Sequence, residues 1–224
     1  MQLTRTLLLC GAVAGPSFVL CVAIQDYTRT GFDPRTLMLS LHALDPTTGW
    51  IQIVNFVAAG VLNVLYAIGL WRTVRPGRAG TTAAILIAAY GFGLITVGLF
   101  TTDPAGGFPP GSVQPASPSG HAVVHALGAL FVFLFLAAAI ASFGAYFLSR
   151  RERTWGAFCV AGAAVILVLF FGGINNAEYM ARLIRLATLI GWLAPSLCAI
   201  KLLPAPSATA ATNTARAAAS AWVP

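Results

Sequence analysis

Three side chains, Asp103, His121 and His125, are the ones best equipped for chemistry. His121 and His125 stand at i, i+4, one helical turn apart, so they share a face and can present two imidazoles to one divalent metal ion. A third ligand would have to come from Asp103, His42, Asp26, Asp33, Asp45 or Glu178. Without a metal, the same imidazoles beside Asp103 could transfer protons as general acid and base, or simply bond loop carbonyls. A second group is Glu178, Arg182 and Arg185, at i, i+4, i+7. It reads either as a structural ion pair or as an anion clamp, because two guanidiniums with one carboxylate leave a surplus positive charge. A third group is Gln52, Asn55, Asn63 and Tyr66, which fall within about one quarter of a helix circumference. Such a stripe either lines a cavity or bonds neighbouring helices together.

The elements that must position these groups are membrane helices. The 224-residue chain is 58% hydrophobic and 8% charged, with a mean hydropathy of +0.83. A soluble domain would carry about 25% charged residues. A hydrocarbon core ~30 Å thick takes about 20 apolar residues per helix. Spans are predicted over about 7–24, 50–71, 81–100, 120–148, 155–173 and 178–202. The fold class is therefore all-α, a polytopic bundle of six transmembrane helices forming one domain over residues 1–203. The first span contains Pro16 and lacks a clean small-x-small cleavage site, so it reads as a retained, proline-kinked helix and not a signal peptide. Two longer loops are predicted outside the membrane: 26–48, with a short amphipathic helix around Thr36–Ala43, and the Pro/Gly-rich 101–119. Pro76-Gly77 turns the chain after the second span, and the small polar tail 204–224 has the composition of a disordered segment.

Charge orients this bundle. Nine of the 13 Lys/Arg (Arg5, Arg72, Arg75, Arg78, Arg150, Arg151, Arg153, Lys201 and Arg216) fall on one face. Five of the six Asp/Glu and all three histidines fall on the other. The positive-inside rule then places both termini in the cytoplasm of a bacterium, with the chain in its inner membrane. It also accounts for the net charge of +7 without a nucleic-acid partner. Cys10, Cys21, Cys159 and Cys198 all lie in apolar spans and read as buried free thiols.

Two resemblances bear on function. Pro118-Ser119-Gly120-His121 resembles the central motif of type-2 phosphatidic acid phosphatases, but the echoes of the flanking motifs, Arg75-Pro76 and Ser149-Arg150, map to the opposite face. The wider pattern is Gly15-Pro16, Gly31-Phe32-Asp33-Pro34, Gly49-Trp50-Ile51-Gln52 with Asn55-Phe56, Asp103-Pro104, Gly107-Phe108-Pro109-Pro110-Gly111, and Gly120-His121 with His125. In that order it resembles the prokaryotic six-helix membrane family known as domain of unknown function 998. The resemblance implies a six-helix bundle and a shared external loop region, and supplies no activity, cofactor or catalytic residue.

Three functions remain open from sequence. One is an enzyme acting on a lipid or isoprenoid-type substrate at the outer leaflet, with Asp103, His121 and His125 beneath the proline-rich loop. Another is a small-solute or proton-coupled carrier using the Gln52–Tyr66 stripe. The third is a non-catalytic scaffold, for which Gly11-x-x-x-Gly15 is a candidate contact. The expected partners are the bilayer itself and a lipid or apolar small molecule.

Overall fold

The computed structural model describes residues 2–75 and 77–203. The expected turn at Pro76 and the tail 204–224 lie outside these. Among the described residues, six helices are long and apolar enough to cross a membrane: α1 (Gln2–Thr28), α2 (Gly49–Thr73), α3 (Arg78–Leu99), α4 (Gly120–Ser149), α5 (Arg153–Ile174) and α6 (Met180–Leu202). They confirm the polytopic all-helical fold. A short 3-10 helix, Leu39–Leu44, occupies the first long loop. α1 continues a full turn past its apolar span, through Gln25, Asp26 and Thr28.

Each helix packs on its neighbours in the chain, and α6 returns to α1 to close the ring. Lipid tails are as apolar as leucine, so helix association in a bilayer relies on close packing and hydrogen bonds instead of hydrophobic burial. The glycines supply the close packing. A methyl group on Gly60 of α2 would lie 2.6 Å from the Gly91 carbonyl of α3, and one on Gly91 would lie 2.8 Å from the Gly60 carbonyl. At the ring closure, a methyl on Gly15 of α1 would collide with the Trp192 carbonyl of α6. Beside it, the Ser196 hydroxyl donates to the Gly11 carbonyl at 2.7 Å and accepts the Gly15 N–H at 3.2 Å. Pro16 follows immediately and has no N–H to donate to the preceding turn, so Ser196 reinforces α1 where its own ladder is weakest.

Trp192 is also the hub of the interior. Its ring meets Phe18 of α1 at 5.5 Å, Tyr90 of α3 at 5.4 Å and Phe133 of α4 at 5.5 Å. These offset and edge-on contacts join four of the six helices in one aromatic cluster. At the opposite end from the long loops, Lys201 of α6 pairs with Glu152, which precedes α5, at 2.7 Å.

This seam yields a stability prediction. Gly15→Ala forces backbone away from backbone and is expected to cost about 1–3 kcal/mol, whereas Ser196→Ala, which only removes the hydroxyl bridge, costs about 1 kcal/mol. Unfolding of the detergent-solubilised protein measures both. Equal, negligible losses would show that the ring does not close through this contact.

Candidate functional site

The end of the bundle that carries the two long loops holds an unusual density of buried polar groups. Their origin is the end of α1, where Gln25 and Asp26 of its last turn and Arg29 just after it reach the 3-10 helix, α2 and α6. Arg29 is 9% exposed, yet fully engaged. It pairs with Asp45 at 3.1 Å, donates to the Gln25 amide oxygen at 2.7 Å and to the Thr48 carbonyl at 2.7 Å, and also bonds the Thr48 hydroxyl. Asp45 in turn accepts from the backbone N–H and hydroxyl of both Thr47 and Thr48, at 2.8–3.1 Å, at the entrance to α2. Burial acts to raise the Asp45 pKa, but these donors outweigh it and hold the carboxyl well below its ordinary 3.8. Gln25 continues the network inward, its amide nitrogen donating to Gln52 of α2 at 2.6 Å.

Asp26 builds the second half. Its carboxylate accepts Arg185 Nη1 of α6 at 2.6 Å on one oxygen and meets His42 Nε2 at 2.9 Å on the other. Arg185 also donates to two loop carbonyls, Pro34 and Leu37, each at 3.1 Å. One guanidinium thus ties α6 to α1 and to the loop between α1 and α2. His42 is wholly buried and stacks on Phe32 with ring centroids 3.7 Å apart. Burial depresses its pKa below the ordinary 6.5, with Asp26 opposing. The ring is therefore neutral at pH 7, donates Nε2–H to Asp26, and leaves Nδ1 without a partner among the described residues.

Below this roof, a groove of about 490 Å³ runs between the halves of α1 and α6 nearest the long loops. Its walls are Phe18, Val19 and Val22 of α1 and Leu186, Thr188 and Leu189 of α6. Its polar end gathers Asp26, Arg35, Arg182 and Arg185. Leu186 and Leu189 are 47% and 41% exposed, so the groove opens on the outer surface of the bundle and not into its centre. It starts just above the Gly15–Trp192 contact, where the two helices touch.

The sequence-derived candidates are distributed differently from expectation. Arg182 and Arg185 share the groove, but Glu178 precedes α6 and Arg185 pairs with Asp26 across to α1, so the expected intrahelical pairing with Glu178 is replaced. Arg182 lies 5.8 Å from the centre of the Tyr179 ring. Asp103 accepts the Ser119 N–H at 2.7 Å and helps fix the start of α4, where Ser119 caps the helix. Hydrogen bonds from Ser119, with a smaller contribution from His121, keep its carboxyl below the ordinary range. His121 packs on Phe100 at 5.2 Å, while His125 is buried with Nδ1 at 2.8 Å from the Phe100 carbonyl and 3.2 Å from that of Val97. Asp103, His121 and His125 thus neighbour one another in the fold but engage separate local partners. Among the described residues, no group of three or more His, Cys, Asp or Glu side chains is placed to hold a metal ion.

The α2 stripe faces inward and connects helices. Gln52 accepts from Gln25 and from Asn55 (3.3 Å), and Asn55 also reaches the Phe18 carbonyl of α1 at 3.3 Å. Tyr66 donates to the Pro195 carbonyl of α6 at 3.3 Å, and Asn63 to its own helix at Ala59, 2.8 Å. Sequence reasoning missed Gln25, Arg29 and the joining of Asp26, His42 and Arg185. The available signal was the spacing of Gln25, Asp26 and Arg29 at the end of the first span, which hydropathy trims away.

Acid should dismantle this end in two stages. Both groups have folded pKa values below their unfolded ones, so each stabilises above its unfolded value and loses that contribution as pH falls. For His42 the loss begins as pH drops below 6.5, and for Asp45 only below 3.8. Thermal melts across pH 7 to 3 should show the first step, and His42→Gln, which keeps a donor for Asp26, should flatten it while sparing the second. A first step unchanged in that variant would assign it to another group.

Comparison with curated proteins and with solved structures gives no match. The sequence family described as "Protein of unknown function (DUF998)" matches residues 12–201, which include part or all of every helix of the ring and both long loops, and the chain belongs to that family.

Proposed function

We propose that the protein binds a membrane lipid with an anionic, phosphate-type head in the α1–α6 groove, at the outer leaflet of a bacterial cytoplasmic membrane. The observation that carries this reading is the charge balance at the polar end of an apolar, laterally open groove. Three guanidiniums, Arg35, Arg182 and Arg185, stand there against one carboxylate, Asp26. Arg185 is committed to Asp26, Pro34 and Leu37, so Arg35 and Arg182 supply the surplus of two positive charges. Both are exposed. A guanidinium matches a phosphate bidentately, and the apolar walls below match hydrocarbon chains. Free phosphate would satisfy the arginines but leave the walls of Phe18, Val22, Leu186 and Leu189 without a partner.

The orientation is supported by the bases at the other end of the bundle, Arg72, Arg75, Arg78, Arg150, Arg151, Arg153 and Lys201, an excess of the kind that cytoplasmic ends of membrane helices carry. The reading is one of binding. Catalysis by Asp103, His121 and His125 would need those groups at the lipid head, and the groove is built from α1, α6 and the first loop instead.

Titration of the purified chain with phosphatidic acid, phosphatidylcholine and inorganic phosphate tests the proposal by native mass spectrometry. Phosphatidic acid should bind at least about ten-fold more tightly than phosphatidylcholine, and Arg35→Ala with Arg182→Ala should remove that preference, a loss of about 1.4 kcal/mol or more. Equal binding of both lipids, or a double variant that keeps the preference, would overturn it. Inorganic phosphate binding as tightly as the lipid would make the site one for the free anion.

A further inference from the structure

One titratable side chain beside the groove has no part in holding the lipid head. His42 is wholly buried behind Asp26, whereas Asp26 itself lines the polar end of the groove. The Asp26 carboxylate joins the two sides, one oxygen accepting Arg185 at 2.6 Å and the other meeting His42 Nε2 at 2.9 Å. The charged groups that act on the imidazole are few. α1 and the residue after it bring Asp26 and Arg29, and α6 brings Arg185. Asp45, just beyond the 3-10 helix, is paired with Arg29, and Phe32 covers the ring face. α2 approaches the His42 backbone through Gly49, and the proline-rich loop reaches Phe32 through Phe108, so neither adds a charge at these contacts. Two cations and a dry surrounding, against one carboxylate shared with Arg185, keep the ring neutral in the unliganded protein.

We infer that binding of the anionic lipid head in the groove is coupled to uptake of a proton by His42, transmitted through Asp26. This rests on the anionic-lipid reading of the groove. A phosphate at the polar end brings negative charge to the same space as the Asp26 carboxylate, and partly buried charges are screened far less than exposed ones. The imidazolium keeps its Nε2–H on Asp26 and sets a positive charge behind that carboxylate, which offsets the repulsion between carboxylate and phosphate. His42 itself never touches the lipid. The sign follows from linkage. The ring of the unliganded protein titrates below 6.5 and the bound anion moves it upward, so affinity rises as pH falls between the two values and is constant outside them. At a separation on the order of 10 Å and an effective dielectric of about 20, one unit charge is worth roughly a ten-fold change. The groove therefore fills more readily where the outer surface of the membrane is acidic.

Dioleoyl phosphatidylglycerol is the probe, because its phosphodiester stays singly charged across the range tested. Titrated into the purified full chain, it should bind about five- to ten-fold more tightly at pH 5.5 than at pH 8. Calorimetry near pH 6 in two buffers of different ionisation enthalpy should show net proton uptake on binding. His42→Gln, which keeps a donor for Asp26, should bind the lipid with neither pH dependence nor uptake. His121→Ala, which removes the exposed histidine of α4, should retain both. Equal binding at the two pH values, tighter binding at pH 8, uptake that persists in His42→Gln or uptake that disappears in His121→Ala would overturn the inference while the anionic-lipid reading stands. The unaltered protein and His121→Ala decide the matter even if His42→Gln fails to fold. Phosphatidylglycerol binding no better than phosphatidylcholine at either pH would also overturn the inference, and the same result with phosphatidic acid would overturn the anionic-lipid reading as well.

Discussion

The ring of helices depends on the close approach of α1 and α6 at Gly15. Their backbones meet there because one residue has no side chain, and Ser196 bonds across the same contact to Gly11 and Gly15. In a bilayer no solvent drives apolar surfaces together, so a seam of this kind has to come from shape and hydrogen bonding. It closes the ring, seats Trp192 against Phe18, Tyr90 and Phe133, and sets the depth at which α1 and α6 diverge. The groove begins where this contact ends.

Above the seam, the same two helices are held by charge. Buried ions are tolerated only with several good partners, since desolvation otherwise exceeds the attraction. Arg29 and Arg185 satisfy that demand, each with a carboxylate and at least two further acceptors. Their hydrogen bonds fasten the loop and the 3-10 helix over the bundle. Arg35 and Arg182 stand outside this network, exposed at the mouth of the groove, and the contrast separates arginines that build the site from arginines available to a ligand. Asp26 links the two roles by joining Arg185 to the buried His42.

The six spans were legible because hydropathy and the ~20-residue crossing length constrain each helix independently of the others. The α2 stripe was legible as inward-facing, since Gln52, Asn63 and Tyr66 share a face and are buried. Less legible was the far end of α1. Hydropathy marks the thickness of hydrocarbon crossed and is blind to the backbone ladder, which continues through Asp26. Treating Gln25, Asp26 and Arg29 as span end and loop hid that the helix runs through the first two and delivers the third to α2. The i, i+4 histidines stood out by spacing, but spacing along one helix says nothing of what the next helix presents. Here α3 presents the carbonyls of Val97 and Phe100 to His125.

The sequence by itself determined the class of molecule, the number of helices, the gathering of most bases at one end and most acids at the other, and the family pattern across both loops. Each of these is set locally, by composition along a single segment. The tertiary structure alone decided which acid serves which arginine, that α6 closes on α1, and that a groove with surplus positive charge opens between them. Those outcomes depend on contacts between residues as distant in the chain as Asp26 and Arg185, where geometry in three dimensions, and no periodicity along the chain, selects the partner.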